Sequence, residues 1–330
     1  MRSILFRIAA LSLPLAVSCP AIAAVEKSAG ASLQASIAAF EKGTGGKVGF
    51  SARHLESGDE VSYNGDEYFP MASTMKVAVA TLVMNRVDRG EVELTQMITV
   101  EPKFLEQSGP VAESVMHPGI SLSVANLLEL MLTKSNNTAT DMMVRLAGGP
   151  AAVTAWLRDN GIKGQNVDHD THGLLLKFYD LPADKPFLTS FMAKAAQDPK
   201  IFDTIYQDKP AFDADVQDSS TPKAMNLLLT KLFSGKLISP ASTLFLRGVM
   251  ERCTTGPERL KGMLPVGTTV AHKTGTLGGS ANDVGLITLP GERGHVIISV
   301  YVKGATQPSA ARDKAIAESS RAAYDYFLYR

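Results

Sequence analysis

Ser73 and Lys76 stand three residues apart in Ser73-Thr74-Met75-Lys76, a spacing that puts a hydroxyl and an amine on one face at the start of a helix. Lys76 can then hydrogen-bond Ser73 and accept its proton, which turns a weak alcohol into a nucleophile for acyl transfer. A lysine does this only where its ammonium is destabilised by burial or by another cation. Lys273, in Lys273-Thr274-Gly275-Thr276, is the candidate second cation. Gly275 would let a substrate amide approach the strand edge closely. Ser135-Asn136-Asn137 sits just before a helical stretch and supplies a hydroxyl for proton relay plus an amide for substrate binding.

Ser-x-x-Lys is a weak signal by itself. Ser220-Thr221-Pro222-Lys223 matches it too, and there a helix cap followed by proline is the better reading. Ser-x-Asn recurs at Ser62-Tyr63-Asn64 and Ser280-Ala281-Asn282, whereas Lys-Thr-Gly occurs once. Only Ser73, Ser135 and Lys273 give the three motifs in the order Ser-x-x-Lys, Ser-x-Asn, Lys-Thr-Gly. That order is what makes the set specific.

The elements that must position these residues are legible in the periodicity. Leu33, Ile37 and Phe40 recur at helical spacing before Gly43. Val48, Phe50 and Ala52 alternate, and Glu60 to Asn64 follows a Ser57-Gly58-Asp59 turn, which predicts a hairpin. Helices are expected from Thr74 to Arg89, Ser123 to Leu132, Thr138 to Leu146 and Pro150 to Asn160; two more are capped by Ser220-Thr221-Pro222 and Ser239-Pro240. Strand character returns at Thr268 to Lys273, Val284 to Leu289 and Val296 to Val302, ahead of a final helix from about Ala310 to Tyr329. Strands at both ends with helices between predict an α/β fold, one antiparallel sheet built from both chain ends, flanked by helices, with an all-α domain inserted. The expected α/β part is 25–76 with 251–330; the helical part is 77–250 and includes a long loop at about 164–219. A small-molecule site belongs where the two meet.

Lys+Arg and Asp+Glu number 33 each in 330 residues, so the net charge is zero. That argues against nucleic acid or a polybasic membrane surface and for a small-molecule partner. Arg2 and Arg7 flank an apolar run from Ile8 to Val17, too short to span a bilayer. Ala21-Ile22-Ala23 then offers a cleavage site near Ala23 or Ala24, so residues 1–24 read as a signal peptide and the mature chain as periplasmic or secreted. Leu15-Ala16-Val17-Ser18 is a poor approach to a lipidated Cys19. The mature chain keeps Cys253 alone, so no internal disulfide is expected. With no histidine nearby in sequence, Cys253 reads as a small buried hydrophobe. His169 and His172 lack the i, i+4 spacing of helical metal ligands. No metal or organic cofactor is expected.

The three motifs together resemble those of the penicillin-recognising serine enzymes, specifically the class A β-lactamases. The resemblance covers essentially the whole mature chain. Phe69 to Lys76 is similar to the nucleophile segment, and Leu146-Ala147-Gly148-Gly149-Pro150 to a helix connection of that family. Thr254 to Gly262, His272 to Thr276 and Asn282-Asp283-Val284-Gly285 resemble the extended-spectrum branch with enlarged loops. The resemblance implies that Ser73 attacks a lactam carbonyl with Lys76 as a base candidate, and that Ser135 relays a proton to the leaving nitrogen. It also implies that Asn137 binds the substrate's side-chain amide and that the backbone N–H groups of Ser73 and Thr276 form an oxyanion hole. Lys273, Thr274 and Thr276 would hold the substrate carboxylate. Many relatives add an arginine on the following strand; Asn282 stands there, and Arg259 matches the alternative arginine some relatives use.

One step departs from the pattern. The family hydrolyses its acyl-enzyme with a loop glutamate, but Asn166-Val167-Asp168-His169-Asp170-Thr171-His172 places Thr171 there, and no glutamate occurs between Glu129 and Glu251. Asp170, His172 and an aspartate from Asp213 or Asp215 are the substitute bases on offer. His169 and Asp218 resemble the arginine and aspartate that close the loop in relatives, which predicts a pH-sensitive His169–Asp218 pair. The leading expectation is a serine β-lactamase acting through acyl-Ser73 with a base other than glutamate. The alternatives are a D-alanyl-D-alanine peptidase of class A shape, acting on peptidoglycan stem peptides, and a penicillin-binding sensor that stays acylated. A monomer satisfies all three.

Overall fold

The computed structural model describes residues 20–101, 117, 119–185, 187–203 and 205–330. Most of the expected signal peptide, residues 1–19, lies outside the described residues. Helix α1 (Pro20–Lys42) leads into the hairpin β1 (Lys47–His54) and β2 (Glu60–Tyr63). After the short strand β3 (Phe69–Pro70) come a 3-10 turn, Ala72–Met75, and α2 (Lys76–Asp88). Strands β4 (Met97–Thr99) and β5 (Ser121–Ser123) pair with each other. Helices α3 (Val124–Thr133), α4 (Asn137–Leu146) and α5 (Pro150–Asp159) complete the central helical part.

The segment expected as a long loop is about half helical. It holds α6 (Thr171–Phe178), α7 (Phe187–Gln197) and α8 (Pro210–Asp213) before β6 (Ser219–Ser220). Phe178, Tyr179, Phe191 and Ile201 form a small core of their own, with Phe187, Phe212 and Leu277 against it. Phe178 meets Tyr179 and Phe212 edge-on at 5.0 Å between ring centres, the geometry aromatic quadrupoles favour.

Helices α9 (Pro222–Phe233) and α10 (Pro240–Glu251) follow, then β7 (Val270–Leu277), β8 (Ser280–Thr288), β9 (His295–Lys303) and α11 (Ser309–Leu328). Thr221 and Ser239 cap α9 and α10 by accepting from Ala224 N and Ser242 N; such caps are worth about 0.5–2 kcal/mol each. The main sheet is antiparallel in the order β2-β1-β9-β8-β7, so the first long strand pairs with the last. Its central strands are buried on both faces. Val48, Phe50, Ile298 and Val300 face Leu33 and Ile37 of α1 and Ile316 and Phe327 of α11. Tyr301, Ile297, Val284 and Ala271 point the other way and join the core of the helices. α9 and α10, although within the 77–250 segment, pack on this inner face against β1, β9 and β7. Helices and sheet therefore share one continuous core, and the 3-10 turn carrying Ser73 lies against β7 and β8 at the seam.

Candidate active site

Four contacts fix the nucleophile segment. β3 pairs with β6 through Phe69 and Ser220, and Met71 N donates to Asp218 O at 2.9 Å. Asn282, wholly buried on β8, donates its amide to Pro70 O at 2.8 Å and Met71 O at 3.0 Å. Ala72 is held at φ +46°, a left-handed conformation that non-glycine residues adopt only where the surroundings over-determine it. A Cβ on Gly275 would stand 2.5 Å from Met71 O and 3.2 Å from Ser73 N. The space left by the missing side chain of Gly275 is filled by the nucleophile turn.

Behind Ser73 lie two wholly buried lysines, Lys76 and Lys273. Lys76 Nζ donates to Ser135 O at 2.8 Å and Asn137 Oδ1 at 3.0 Å, and lies 3.1 Å from Ser135 Oγ. Ser73 is not among these hydrogen-bond partners, so the direct Ser73–Lys76 bond expected from their spacing is not formed. Lys273 Nζ donates to Thr274 O at 2.7 Å and to the same Ser135 Oγ at 3.1 Å. Ser135 reaches both amines because it too is left-handed, at φ +54°, while Asn136 caps α4 through Ala139 N. One hydroxyl between two ammonium groups would bring two cations together, their repulsion offset only in part by Asp141, Asp283 and Cys253. The arrangement that satisfies every proton has Lys273 donating to Ser135 Oγ while the Ser135 O–H donates to a neutral Lys76 amine. Burial and then the Lys273 charge push Lys76 well below the ordinary lysine range, with Asp141 opposing. Burial also brings Lys273 down, to about 8, with Cys253 and Asp283 opposing.

Around Lys273 the sheet register assembles groups distant in sequence. Lys273 lies opposite Val284 and Thr274 opposite Asp283, and His272 Nδ1 sits 2.9 Å from both carboxylate oxygens of Asp283. Burial pushes the Cys253 thiol up, but the adjoining His272 and then Lys273 outweigh it and bring it to about 7. Burial likewise lowers His272, yet Asp283 raises it to about 9. Cys253 is buried, as expected, but the charge of His272, which sequence proximity does not show, acts on it. Its sulfur is 3.3 Å from Thr255 Oγ1, which is 2.6 Å from Thr274 Oγ1. Arg259 is no exposed cation. Its guanidinium donates to Asp313 Oδ1 and Thr276 Oγ1 at 2.7 Å, and to Gly275 O and Asn282 O at 3.0 Å. These four bonds use four of the five guanidinium N–H donors and leave one on Nη2, beside Thr276, so Arg259 orients Thr276.

The long segment is tied down at its base. His169 Nδ1 lies 2.6 Å from Asp218 Oδ2, and Asp218 Oδ1 accepts from Asp168 N and His169 N at 2.9 Å. Deeper in, Asp141 accepts from Thr171 N at 2.7 Å and His172 N at 3.1 Å. Sequence reasoning misses Asp141; its place one helical turn after Asn137 is the available signal.

Ser73, Lys76, Asn137, Thr171 and Thr276 border one cavity of about 60 Å³, closed by Met75, Leu174, Leu175 and Leu277. The expected substitute bases are not on its wall. Asp170 is occupied as the cap of α6, accepting from Gly173 N at 2.8 Å, and His172 donates its backbone N–H to Asp141. Asp215 is paired with Lys177 at 2.7 Å. Asp213 accepts from Gly304 N at 2.7 Å, and burial with the neighbouring Asp208 raises it to about 7.

The model of the β-lactamase enzyme family matches residues 32–327. The chain belongs to that family. Among curated relatives of this β-lactamase-family chain, β-lactamase VEB-1 of Pseudomonas aeruginosa is 31% identical over 297 residues, covering 87% of each chain. The extended-spectrum β-lactamase PER-1 of the same organism is 32% identical, covering 80% of this chain and 77% of its own. Among solved structures, an ancestral class A β-lactamase superposes with a TM-score of 0.73 at 33% identity, covering 89% of this chain and 99% of the other. The fold, an antiparallel sheet with flanking and inserted helices, is the class A fold.

Proposed function

We propose that the chain is a serine β-lactamase that opens the ring through an acyl-Ser73 ester and then hydrolyses that ester. The observation that carries this reading is the Ser135 hydroxyl shared between buried Lys76 and Lys273 beside Ser73. A neutral Lys76 amine takes the Ser73 proton as Oγ attacks the lactam carbonyl. The C–N bond breaks, and Ser135 passes a proton from Lys76 to the departing nitrogen. Lys273, Thr274 and Thr276 face the substrate carboxylate, with Arg259 orienting Thr276. Asn137 faces the side-chain amide.

The reading includes a periplasmic or secreted, monomeric mature chain, supported by the leader-like composition of residues 1–24. Among the described residues, no helix is long and apolar enough to cross a membrane. Thr171 in the place of the family's glutamate favours a second reading, a D-alanyl-D-alanine peptidase that penicillin acylates and does not leave.

A fluorescent penicillin separates the two. Label that appears on Ser73 and is lost within minutes supports the β-lactamase, and label stable for hours removes it. Cleavage of a D-Ala-D-Ala peptide by the same preparation then supports the peptidase.

A further inference from the structure

The long segment is fastened at its far end as well as at its base. It lies directly on the turn between β7 and β8, where Gly278 and Gly279 leave room for its backbone. A Cβ on Gly278 would stand 2.6 Å from Phe178 Cζ and 2.7 Å from Gln207 O, and one on Gly279 would stand 2.8 Å from Asp208 Cα. Asp213, at the end of α8, holds the neighbouring strands. Its Oδ2 accepts from Gly304 N at 2.7 Å, and its Oδ1 is 3.5 Å from Ser280 Oγ. Asp208 over Gly279 and Asp213 beside Ser280 thus meet, and their carboxyl groups are hydrogen-bonded to each other. Two ionised carboxylates have no proton to donate, so one of the pair is a carboxylic acid. Asp208 Oδ1 is buried, and no other donor among the described residues reaches it.

The cations nearby are committed elsewhere. Lys303 of β9 acts on Asp213, but its Nζ donates to Tyr68 O at 2.6 Å and also feels Glu67 and Lys47. Lys209, next to Asp208, donates to Phe178 O and lies 3.5 Å from Asp180. Arg312 of α11 donates to Gly278 O at 2.7 Å. The aromatic core of the segment has Leu175 and Leu277 packed against it, and the same two leucines wall the cavity bordered by Ser73. The grip on the turn therefore bears on the position of that wall.

We propose that Asp208 and Asp213 form a proton-held clamp that fastens the long segment to the β7–β8 turn and so sets the width of the Leu175–Leu277 wall beside Ser73. Loss of the shared proton leaves two half-buried anions in contact, and the clamp loosens. Burial and then Asp208 hold Asp213 at about 7, far above the ordinary carboxylate range. The fastened segment therefore keeps a proton that the released segment gives up. Its grip is strongest in mild acid and weakens as pH rises through about 7. Both residues are positioning residues, since neither lines the cavity. The effect on substrates rests on the acyl-Ser73 reading above: a loosened wall admits a larger side chain on the lactam.

The test is hydrogen exchange on the full mature chain without substrate, read by mass spectrometry and corrected for the intrinsic pH dependence of exchange. Protection of residues 205–213 is expected to fall about tenfold or more between about pH 5 and about pH 7.5, with β9 unchanged. Asp213→Asn keeps an acceptor for Gly304 N and offers Asp208 an N–H in place of the proton, so its protection should not change with pH. Asp208→Asn is the reciprocal variant and should behave alike. Wild-type protection that ignores pH overturns the clamp, as does an equal fall in β9 or a wild-type pH response in both variants. A second arm compares kcat/KM for nafcillin and benzylpenicillin, which share a nucleus and carboxylate and differ in side-chain bulk, so that the titration of Lys273 cancels. The nafcillin-to-benzylpenicillin ratio is expected to rise about tenfold over the same pH range and to stay level in Asp213→Asn. A level ratio in a wild type whose segment loosens overturns the link to the wall. If no adduct forms on Ser73, the parent reading fails, and hydrogen exchange still decides the clamp.

Discussion

Asp218 closes the long segment on His169 with its side chain, at 2.6 Å, and holds Met71 with its backbone carbonyl, at 2.9 Å. The same residue thus links the base of the loop to a point two positions before the nucleophile. Asp218 itself is held at φ +51°, so a local conformation that costs energy is maintained by contacts on both sides.

This linkage predicts that His169→Ala acts on catalysis without touching the cavity. Removing the imidazole leaves a buried carboxylate oxygen short of a partner, a loss of about 1–3 kcal/mol. Urea denaturation should report that loss. Limited proteolysis should cut first between residues 164 and 219, and the acylation rate of Ser73 should fall as Met71 loosens. A wild-type proteolytic pattern would show that the pair does not hold the loop.

Lys273 predicts an alkaline limit to activity. On the proposed reading its ammonium faces the substrate carboxylate; burial has brought its pKa to about 8, and the charge is lost as pH rises through that value. The ratio kcat/KM should therefore fall above about pH 8, chiefly through KM, with substrates that carry the carboxylate. Stability moves oppositely. Between about pH 8 and the ordinary lysine range the unfolded chain binds a proton that folded Lys273 lacks, so this residue contributes stability that rises with pH over that window. A flat KM from about pH 7 to about pH 10 would contradict the assignment.

Cys253 tunes that limit. Its thiolate favours the charged form of Lys273, so Cys253→Ala should move the alkaline limb of kcat/KM to lower pH while leaving the rate at about pH 6.5 nearly unchanged. A pH profile of the variant, measured beside wild type, checks the direction. A limb that stays in place or moves upward would show that the thiol is only packing.

Asn282 anchors Pro70 and Met71 from β8. Asn282→Ala would strip Pro70 O of its side-chain donor, at about 1–3 kcal/mol for an unsatisfied buried group, while Met71 O keeps Thr74 N and Thr74 Oγ1, and should slow acylation more than it weakens substrate binding. Asn282→Leu would fill much of the same volume and restores no donor. If it acylates at the wild-type rate, the anchoring role is wrong.

The motif set and most elements are legible in the sequence because both are local signals. Ser73, Lys76 and Ser135 follow from type, spacing and order, and β1, α9 and α10 from alternation and caps. What stays hidden depends on the register between distant strands. His272 meets Asp283 because β7 and β8 pair with Thr274 opposite Asp283, and Cys253 joins them from the end of α10. The partners of Arg259 stay hidden too, because they come from β7, β8 and α11 and nothing near it in sequence shows them. The segment from 164 to 219 has the look of a loop because short helices around a private aromatic cluster leave a weak periodic trace. Helical geometry alone puts Lys76 on Ser73, but the left-handed Ser135 offers it a carbonyl and a hydroxyl together.

The pairing of β1 with β9 has a consequence for synthesis. Lys47 finds its partner at Lys303, so an emerging chain displays the β1–β2 hairpin long before the strand that covers its edge exists. Closing so distant a contact is slow, and an uncovered strand edge is a template for wrong pairing. Until β9 arrives, the nascent chain has helices and half a sheet, a state open to chaperones and to threading. The active site, seated between those helices and that sheet, is among the last parts of the molecule to come into being.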